Sequence, residues 1–427
     1  MKVRFVTLGC KVNAYETEAV WELLANRGYE RVDAGRADVY IINTCMVTAT
    51  AEQKSRQAAR HLFRENPRAV IVVMGCLVAL KPEDTAAIDG VVISLGTRDR
   101  DKIPDLLDEY FQTKRPISLA VPPSEQVAYD NLTISAFSDH QRAFLKIEDG
   151  CDNFCSYCII PYARGRVRSK PRNLVLQEAR ELARHHVEIV LTGIHTGGYG
   201  KDLDNYTFAD LLAELEQIEA IRRIRISSIE INELTPAIIN LIATSKKIVR
   251  HLHVPLQSGS DRILKRMNRH YDVAAYGAKI AQLRRAIPEL SLTTDVIAGF
   301  PGETAADFAA TYDFVKTIGY QELHVFPYSK RTGTAAAAFL DEIDAIIKKD
   351  RVRQLLELGL TMAKAAIRAK EGSILPVIVE REVEGMLQGH SDSYIHLRFS
   401  GPRELIGKEV SVRLLREAYP LSLGELW

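Results

Sequence analysis

The sequence predicts an α/β protein with an N-terminal open parallel α/β sheet domain, a central partial (βα)6 barrel and a small all-β barrel at the C-terminus. Short apolar runs alternate with helical stretches over residues 1–111 and again, six times, over residues 141–370, a pattern typical of parallel sheets. Residues 371–427 show short strands between glycine-containing turns instead. A chain of 427 residues is also too long for one ordinary core.

The composition is that of a folded globular protein, since 46% of the residues are hydrophobic and 26% are charged. The net charge of +1 argues neither for nor against a nucleic-acid partner. The first ten residues lack the apolar core of a signal peptide, and the longest uncharged apolar stretch, Ala69–Leu80, is too short to span a bilayer. We therefore expect a cytoplasmic protein without a membrane partner, and the sequence leaves its oligomeric state open.

The N-terminal domain places three cysteines at one edge of its predicted sheet. Its strands are expected at Val3–Leu8, Val39–Asn43, Val70–Gly75 and Gly90–Leu95, with helices near Ala14–Arg27, Ala51–Glu65, Pro82–Ala87 and Asp99–Phe111. Cys10, Cys45 and Cys76 each follow a strand, and ligands gather at the carboxyl edge of a parallel sheet. A single cysteine is more often a small buried apolar residue than a ligand. Three at equivalent strand ends favour a shared site.

Residues 112–140 carry three prolines and no clear period, and are interpreted as a linker. Barrel strands are then expected at Ala143–Glu148, Val187–Thr192, Ile224–Glu230, Arg250–Pro255, Ser291–Ile297 and Glu322–Pro327. Six βα units make a barrel that is open on one side, with its site at the C-terminal ends of the strands. A long helix, Asp341–Lys370, leaves the barrel. The last module has predicted strands at Pro376–Glu382, Tyr394–Phe399 and Glu409–Leu415.

The strongest chemical signal is a second group of three cysteines, Cys151, Cys155 and Cys158, directly after the first barrel strand. Disulfides are not expected in the cytosol. A 4Fe–4S cluster normally takes four thiolates, so three thiolates on one loop leave one iron open, and the amino and carboxylate groups of S-adenosylmethionine (SAM) can fill that position. The alternative is a zinc site with His195 or His253 as the fourth ligand, although zinc sites usually repeat a two-residue gap between cysteines.

Barrel geometry suggests which residues contact SAM, because the strand ends surround the cluster loop. Gly193 would expose backbone groups to the SAM carboxylate or amine, Ser228 and Glu230 would bind ribose, and Ile297 and Gly299 would border adenine. The alternative for each residue is ordinary packing or capping. The complete set of expected contacts is Tyr157, Gly193, Ser228, Glu230, Gln257, Ser258, Ile297 and Gly299.

A basic run follows the cluster loop, where it is placed to hold phosphates near a reacting base, with a solvated surface as the alternative. The run consists of Arg164, Arg166, Arg168, Lys170 and Arg172. The C-terminal module has no excess of basic residues, so RNA contacts there would depend on Arg398, Arg403 and Lys408.

Several motifs resemble the radical SAM superfamily and, within it, the methylthiotransferases. The spacing of Cys151, Cys155 and Cys158, with Tyr157 before the last cysteine, is the superfamily motif. The C-terminal module is similar to the TRAM domain, and the region around Cys10 looks most like the branch that acts on tRNA threonylcarbamoyladenosine. The motifs similar to the methylthiotransferases are Thr7–Asn13, Asn43–Cys45, Gly75–Cys76, Glu148–Cys151, Pro161–Gly165, His253–Ser260 and Gly299–Thr304.

The resemblance implies two 4Fe–4S clusters, one on each cysteine triad, and two SAM molecules per turnover. One SAM would yield a 5′-deoxyadenosyl radical that abstracts hydrogen from C2 of N6-threonylcarbamoyladenosine beside the anticodon. The other SAM would methylate sulfur held at the cluster of Cys10, Cys45 and Cys76. No catalytic residue is implied beyond the cluster ligands. The implied partners are tRNA and an electron donor such as flavodoxin or ferredoxin.

Three alternatives stay open on the sequence alone. The substrate is another tRNA adenosine, the substrate is a ribosomal-protein aspartate, or the chain is a metal-containing RNA-binding protein without turnover.

Overall fold

The computed structural model describes residues 1–123, 128–130, 132–137 and 140–427. The strands of its N-terminal sheet pair in parallel in the order second, first, third, fourth, fifth, sixth. They are β1 (Lys2–Thr7), β2 (Glu30–Arg31), β3 (Val39–Thr44), β4 (Val70–Gly75), β5 (Val91–Leu95) and β6 (Ile117–Leu119). The helices that cover them are α1 (Lys11–Ala25), α2 (Ala49–Glu65), α3 (Cys76–Leu80), α4 (Pro82–Ala86) and α5 (Ile103–Thr113).

Both faces of this sheet are covered, which explains the unbroken apolar runs of β3 and β4. One face packs against α1 and α5, and the other packs against α2 and the α3–α4 region. A strand that is buried on both faces reads as a continuous apolar run rather than as an alternating one. The prediction of an open parallel α/β sheet is confirmed, although the two short edge strands β2 and β6 were not predicted.

The central domain has six parallel strands, as predicted. They form two three-stranded sheets, which isolated parallel bridges at Ile224–Ile248 and Ser228–His253 connect into one curved sheet. The six strands are β7 (Arg142–Lys146), β10 (Glu188–Thr192), β11 (Arg223–Ile226), β12 (His251–His253), β13 (Ser291–Ala298) and β14 (Glu322–Pro327), and an antiparallel pair, β8 (Glu148–Asp149) and β9 (Arg168–Ser169), flanks the cysteine loop. The helices are α6 (Ile160–Arg164), α7 (Arg172–Leu182), α8 (Phe208–Glu216), α9 (Pro236–Thr244), α10 (Asp261–Arg266), α11 (Val273–Ala286), α12 (Ala305–Ile318) and α13 (Ala345–Arg368).

The stretch predicted as a linker is built into the fold where the structure describes it. Residues 117–119 form β6, which completes the N-terminal sheet. Leu132, Ile134 and Phe137 are buried in the core of the barrel, in the same cluster as Tyr15 and Ala19 of α1. The first helix of the N-terminal domain is thus part of the barrel core, so the two α/β domains share a packed interface.

The C-terminal module is a closed five-stranded barrel, as predicted. Counted along the chain, its five strands are hydrogen-bonded in the order first, second, third, fifth, fourth. Only three of its strands were predicted, because the second and the last combine glycine with polar residues and lack an apolar alternation. The strands are β15 (Ile374–Val383), β16 (Met386–Ser391), β17 (His396–Phe399), β18 (Glu409–Arg416) and β19 (Ser422–Leu426). Within the described residues, no helix of the protein has the length and apolarity that crossing a membrane requires.

Gly389 on β16 sits where a side chain would collide with the neighbouring strand. An added Cβ would lie 1.9 Å from the carbonyl oxygen of Ile378 on β15. Gly389→Ala should therefore destabilise the protein by about 3 kcal/mol, the upper range for overpacking, measured by urea unfolding.

Gly277 is the matched control, because an added Cβ would only meet the Phe314 ring, at 3.5 Å. Gly277→Ala lies inside α11 and should stabilise the protein by about 0.5–1 kcal/mol. Equal effects of the two substitutions would contradict the close approach at Gly389.

Candidate metal centres and active-site cavity

The structure brings Cys10, Cys45 and Cys76 together at the carboxyl edge of the N-terminal sheet. Cys10 precedes α1, Cys45 follows β3, and Cys76 begins α3 directly after β4. Because β1, β3 and β4 are adjacent parallel strands, the loops after them meet at one place. Three thiols that are far apart in sequence thus share one site.

Gly9 and Asn13 hold this site together. Gly9 has a φ of +105°, and an added Cβ would lie 2.8 Å from the Cβ of Cys45, so only glycine lets the two loops approach this closely. The Asn13 amide donates to the carbonyl of Leu8 at 2.6 Å and to that of Thr44 at 3.0 Å. One side chain therefore ties the loop that carries Cys10 to the loop that carries Cys45.

The second triad lies on a loop that its neighbours hold by backbone contacts. Gly150, with a φ of +91°, approaches the next segment so closely that an added Cβ would lie 1.9 Å from the carbonyl oxygen of Arg166. The Cys151 amide donates to Gly165 at 3.0 Å, and Asn268 donates to the carbonyls of Asn153 and Phe154 at 3.2 and 3.0 Å. The loop is thus fixed on both sides.

The sulfurs within each triad are not all as close together as the thiolates around one zinc ion are. A tetrahedral zinc ion with Zn–S bonds of about 2.3 Å holds its thiolates about 3.8 Å apart. Among the described residues, only one group of three or more Cys, His, Asp or Glu residues has its ligand atoms all within 4.8 Å of one another. This group is His253, Asp295 and His324, and neither cysteine triad meets the same condition. In each cysteine triad, at least one pair of sulfurs is therefore more than 4.8 Å apart.

Burial makes the thiols dependent on the metal for ionisation. It raises the pKa of Cys76 to about 11 and that of Cys158 to about 12. At neutral pH these thiols are protonated, so the binding of a metal must displace protons from them. Cys76 and Cys158 therefore form thiolates only together with a bound metal.

A small cavity of about 270 Å³ adjoins the second triad. Arg269 lies beside Cys155, with 3.3 Å between its Nη1 and the Cys155 sulfur, and also forms an ion pair with Glu230. Glu230, which the sequence predicts as a SAM contact, thus lies close to the cysteine loop. Arg269 was not predicted, since nothing in its sequence context separates it from a surface arginine.

A larger cavity of about 590 Å³ lies where the three domains meet. Cys10 and Lys11 line it from the N-terminal domain, Gly193 and Ser228 from the barrel, and Tyr394 from the C-terminal module. An added Cβ at Gly193 would lie 2.7 Å from Glu148 Oε2, so a side chain there would have to displace this carboxylate. Two of the expected SAM contacts therefore share a cavity with a cysteine of the first triad.

The other expected SAM contacts have mixed surroundings. Tyr157 and Ile297 pack together on the apolar cluster around Phe300. The Gly299 amide donates to Glu303 at 3.0 Å, and Gln257 has a φ of +66°. Ser258 is buried, with its hydroxyl 3.2 Å from that of Thr311, and its contact with SAM stays a prediction.

The sequence analysis did not assign Glu148, Asp295 or His324 to the site, and it considered His253 only as a ligand of zinc. Glu148 is buried, accepts a hydrogen bond from the His195 amide at 2.7 Å, and has a pKa that burial raises well above its usual value. His253, Asp295 and His324 come from three neighbouring strands and face the larger cavity. The only available signal was the polar residue within each of these apolar strands.

A buried group of charges joins the N-terminal domain to the barrel. Glu16 of α1 contacts Arg100 at 2.5 Å, Lys146 at 2.8 Å and Arg164 at 2.8 Å. Asp149 contacts Lys146 at 2.7 Å and Arg164 at 3.0 Å. Burial alone would raise the pKa of Glu16, but Arg100 and the other cations lower it well below its usual value. These carboxylates therefore stay charged.

This group corrects the prediction of an RNA-binding basic run. Arg164, Arg168 and Lys170 are buried. Arg164 pairs with Glu16 and Asp149, and Lys170 pairs with Glu178. Arg168 donates to the backbone carbonyls of Arg164 and Arg166. A side chain that neutralises a buried carboxylate is not free to bind a phosphate. Only Arg166 and Arg172 of the run are exposed, as are the three C-terminal candidates Arg398, Arg403 and Lys408.

Fold and site together define a radical SAM protein, and comparison with known proteins agrees. Residues 145–315 match the Radical SAM superfamily, and residues 2–96 match Uncharacterized protein family UPF0004. The radical SAM methyltransferase TsrM from Kitasatospora setae has a similar fold, with a TM-score of 0.56 and 14% identity over 76% of this chain and 72% of that one. Membership of the superfamily implies a 4Fe–4S cluster and SAM.

Full-length relatives narrow the class. The chain is 47% identical to the threonylcarbamoyladenosine tRNA methylthiotransferase MtaB of Bacillus subtilis, over 99% of this chain and 96% of the relative. It is 36% identical to the tRNA-2-methylthio-N(6)-dimethylallyladenosine synthase of Carboxydothermus hydrogenoformans, over 96% and 95%. The chain belongs to the radical SAM methylthiotransferase family, and it is more similar to MtaB than to the dimethylallyladenosine enzyme.

The charge group between the domains should respond to the loss of one carboxylate. Glu16→Gln keeps the shape but leaves Arg100, Lys146 and Arg164 short of one negative charge, which should cost about 3–5 kcal/mol at pH 7. The lowered pKa of Glu16 means that its contribution is complete above the pKa of the unfolded chain and is lost as the pH falls through the folded pKa. The difference between wild type and variant, measured by urea unfolding, should therefore begin to shrink below about pH 4.3, the pKa of an unfolded glutamate, and disappear only in strong acid.

Glu109→Gln is the control, because Glu109 is an exposed glutamate on α5. Its effect should stay within about 0.5 kcal/mol. A Glu16→Gln variant as stable as this control would contradict the role of the buried charges.

Proposed function

We propose that the protein inserts a methylthio group at C2 of N6-threonylcarbamoyladenosine next to the anticodon of tRNA, giving 2-methylthio-N6-threonylcarbamoyladenosine. Relatives named as threonylcarbamoyladenosine tRNA methylthiotransferases match nearly the whole chain, at 47% and 36% identity. The structural observation that carries the proposal is the pair of three-cysteine sites, one at the strand ends of each α/β domain.

The reaction explains why the site consists of thiols and not of acid–base residues. An aromatic C–H bond is too inert for polar catalysis by side chains, so bound cofactors must supply the reactivity. A cluster on Cys151, Cys155 and Cys158 would bind SAM at its open iron and supply the radical chemistry. The chain itself holds the reactants in position and excludes water.

The finer assignments are parts of the same proposal. Cys10, Cys45 and Cys76 hold a second 4Fe–4S cluster that carries sulfur, and each turnover uses two SAM molecules. Gly193, Ser228 and Glu230 contact SAM, which their positions in the two cavities support. The remaining proposed contacts are Tyr157, Gln257, Ser258, Ile297 and Gly299. A reductant such as flavodoxin or ferredoxin supplies electrons in the cytoplasm.

The tRNA contacts fall to the exposed basic residues. Arg166 extends beside the cysteine loop, with its side chain 78% exposed and 3.5 Å from Asp152. Arg172, the first residue of α7, forms an ion pair with Glu214. The C-terminal barrel adds Arg398, Arg403 and Lys408, all exposed. Phosphate contacts by these residues would position the anticodon arm without reading its sequence.

Iron content should report both clusters. Anaerobic reconstitution with iron and sulfide should give about eight irons per chain, and replacing Cys151, Cys155 and Cys158 together should leave about four. Metal analysis and the charge-transfer absorption of the protein measure this. Stoichiometric zinc without such absorption would refute the assignment of clusters.

The two triads should have separable tasks, which tests the function directly. With SAM, reductant and tRNA that carries N6-threonylcarbamoyladenosine, the wild type should form both 5′-deoxyadenosine and the 2-methylthio nucleoside, measured by mass spectrometry. Cys45→Ala should form deoxyadenosine but no methylthio product, because it loses only the proposed cluster on Cys10, Cys45 and Cys76. Cys155→Ala should form neither.

Different outcomes point to the alternatives. Methylthio product from Cys45→Ala at the wild-type level would make the first triad structural. Product on a ribosomal-protein aspartate or on another adenosine, but not on threonylcarbamoyladenosine, would change the substrate. A wild type that binds tRNA without cleaving SAM would be an RNA-binding protein.

A further inference from the structure

One side of the larger cavity carries a group of cationic side chains. Arg225 and Arg142 lie over the ring of Tyr394, with 4.8 and 5.4 Å from each guanidinium carbon to the ring centroid. Lys11 lines the same cavity and interacts electrostatically with both arginines and with Tyr394. Three cationic side chains thus surround one tyrosine.

The two arginines are already committed to carboxylates. Arg225 donates to both oxygens of Glu188, at 2.7 and 3.0 Å, and Arg142 contacts Glu380 at 2.9 Å. Although burial alone would raise it, the arginines lower the pKa of Glu188 to about 2, so Glu188 stays ionised and paired. Lys11, in contrast, has no hydrogen-bond or ion-pair partner among the residues that the structure describes. Of these three cations, Lys11 is therefore the one without a carboxylate partner among the described residues.

We propose that Lys11 binds the free carboxylate of the threonylcarbamoyl group and so selects this substrate, an inference that rests on the proposed function. Threonine attached to adenosine through its nitrogen keeps its α-carboxyl group, which with a pKa of about 3.5 is ionised at neutral pH. A carboxylate in the cavity gives Lys11 the anionic partner that it lacks among the described residues. An ammonium group next to it then forms a charge-assisted hydrogen bond.

The position of Lys11 suits this role. Lys11 follows Cys10, a ligand of the proposed sulfur-carrying cluster, directly in sequence. The reacting C2 and the carbon that bears N6 belong to the same six-membered ring of adenine. A base that presents C2 to the cluster therefore brings its N6 substituent into the neighbourhood of residue 11.

Neighbouring groups hold the ring of Tyr394 in place. Tyr394 has a φ of +68°, a left-handed conformation that is strained for tyrosine. Its ring stacks on His251, with centroids 5.0 Å apart and planes at 19°. A fixed aromatic wall with one unpaired cation accepts an anionic substituent and disfavours a hydrocarbon, since an apolar group would leave the ammonium desolvated and unpaired. The dimethylallyl group, which the name of the 36% identical relative states, is such a hydrocarbon.

The test compares two anticodon stem–loop RNAs that differ only in charge. One carries N6-threonylcarbamoyladenosine and the other carries its neutral carboxamide. The reconstituted wild type should prefer the acid by about 10- to 100-fold in kcat/KM, the range of one charge-assisted hydrogen bond. Lys11→Gln should lose that factor on the acid and show a ratio near one, while Lys11→Arg should keep part of the preference.

Lys54→Gln is the matched control, because it removes an exposed lysine charge from α2 of the same domain and should behave as the wild type. Iron content and 5′-deoxyadenosine formation verify that each variant holds its clusters. Equilibrium binding of the two RNAs gives the same ratio without turnover, and so decides the matter for a variant that loses a cluster.

Two results would overturn the assignment of Lys11. A wild-type ratio near one would mean that the carboxylate is not recognised. If Lys11→Gln lowered kcat/KM equally on both RNAs, the preference for the acid would stay at its wild-type value. Lys11 would then contact an RNA phosphate. Failure of the proposed function looks different, since the wild type would then form no methylthio product on either RNA whatever the binding ratio.

Discussion

The buried charges between α1 and the barrel are the constraint on which the arrangement of the site depends. Glu16 lies six residues after Cys10, and Asp149 lies two residues before Cys151, so the cations that bridge these carboxylates set the distance between the two cysteine triads. Arg164 also donates to Asn13 at 2.9 Å, and Asn13 ties the Cys10 loop to the Cys45 loop. Burying so many charges is expensive and adds little net stability. Their value lies in geometry, because they can be satisfied in only one relative position of the domains.

The C-terminal barrel is part of the same arrangement and not an appended module. Arg225 of the central barrel donates to the carbonyl of Asp392 at 3.0 Å while it pairs with Glu188. The loop that carries Asp392 also carries Tyr394, which lines the larger cavity. The C-terminal module therefore also forms a wall of the larger cavity. A tRNA bound to this module would thus be close to the cavity that its base must enter.

The sequence predicted those features that follow from local periodicity and from spacing. The parallel strands, the six βα units and the position of each cysteine after a strand depend on apolar runs that can be read directly. Strands of two or three residues, such as β2 and β6, have no period to detect. The basic run was misread for a different reason. The partners of Arg164 and Lys170 are Glu16 and Glu178, and no local pattern indicates that these carboxylates are buried beside them.

Reaction and selectivity are encoded by different kinds of position. The cysteines lie where parallel strands end, so the sheet itself determines where the thiols meet, and relatives that act on different substrates can share this arrangement. Residue 11 is the first residue of α1, a helix position that exposes its side chain to the cavity without bearing on the sheet. A change of charge there alters which substituent the cavity accepts and leaves the cysteine geometry intact. One scaffold can in this way keep a demanding radical chemistry while its substrate is set by a few side chains around the cavity.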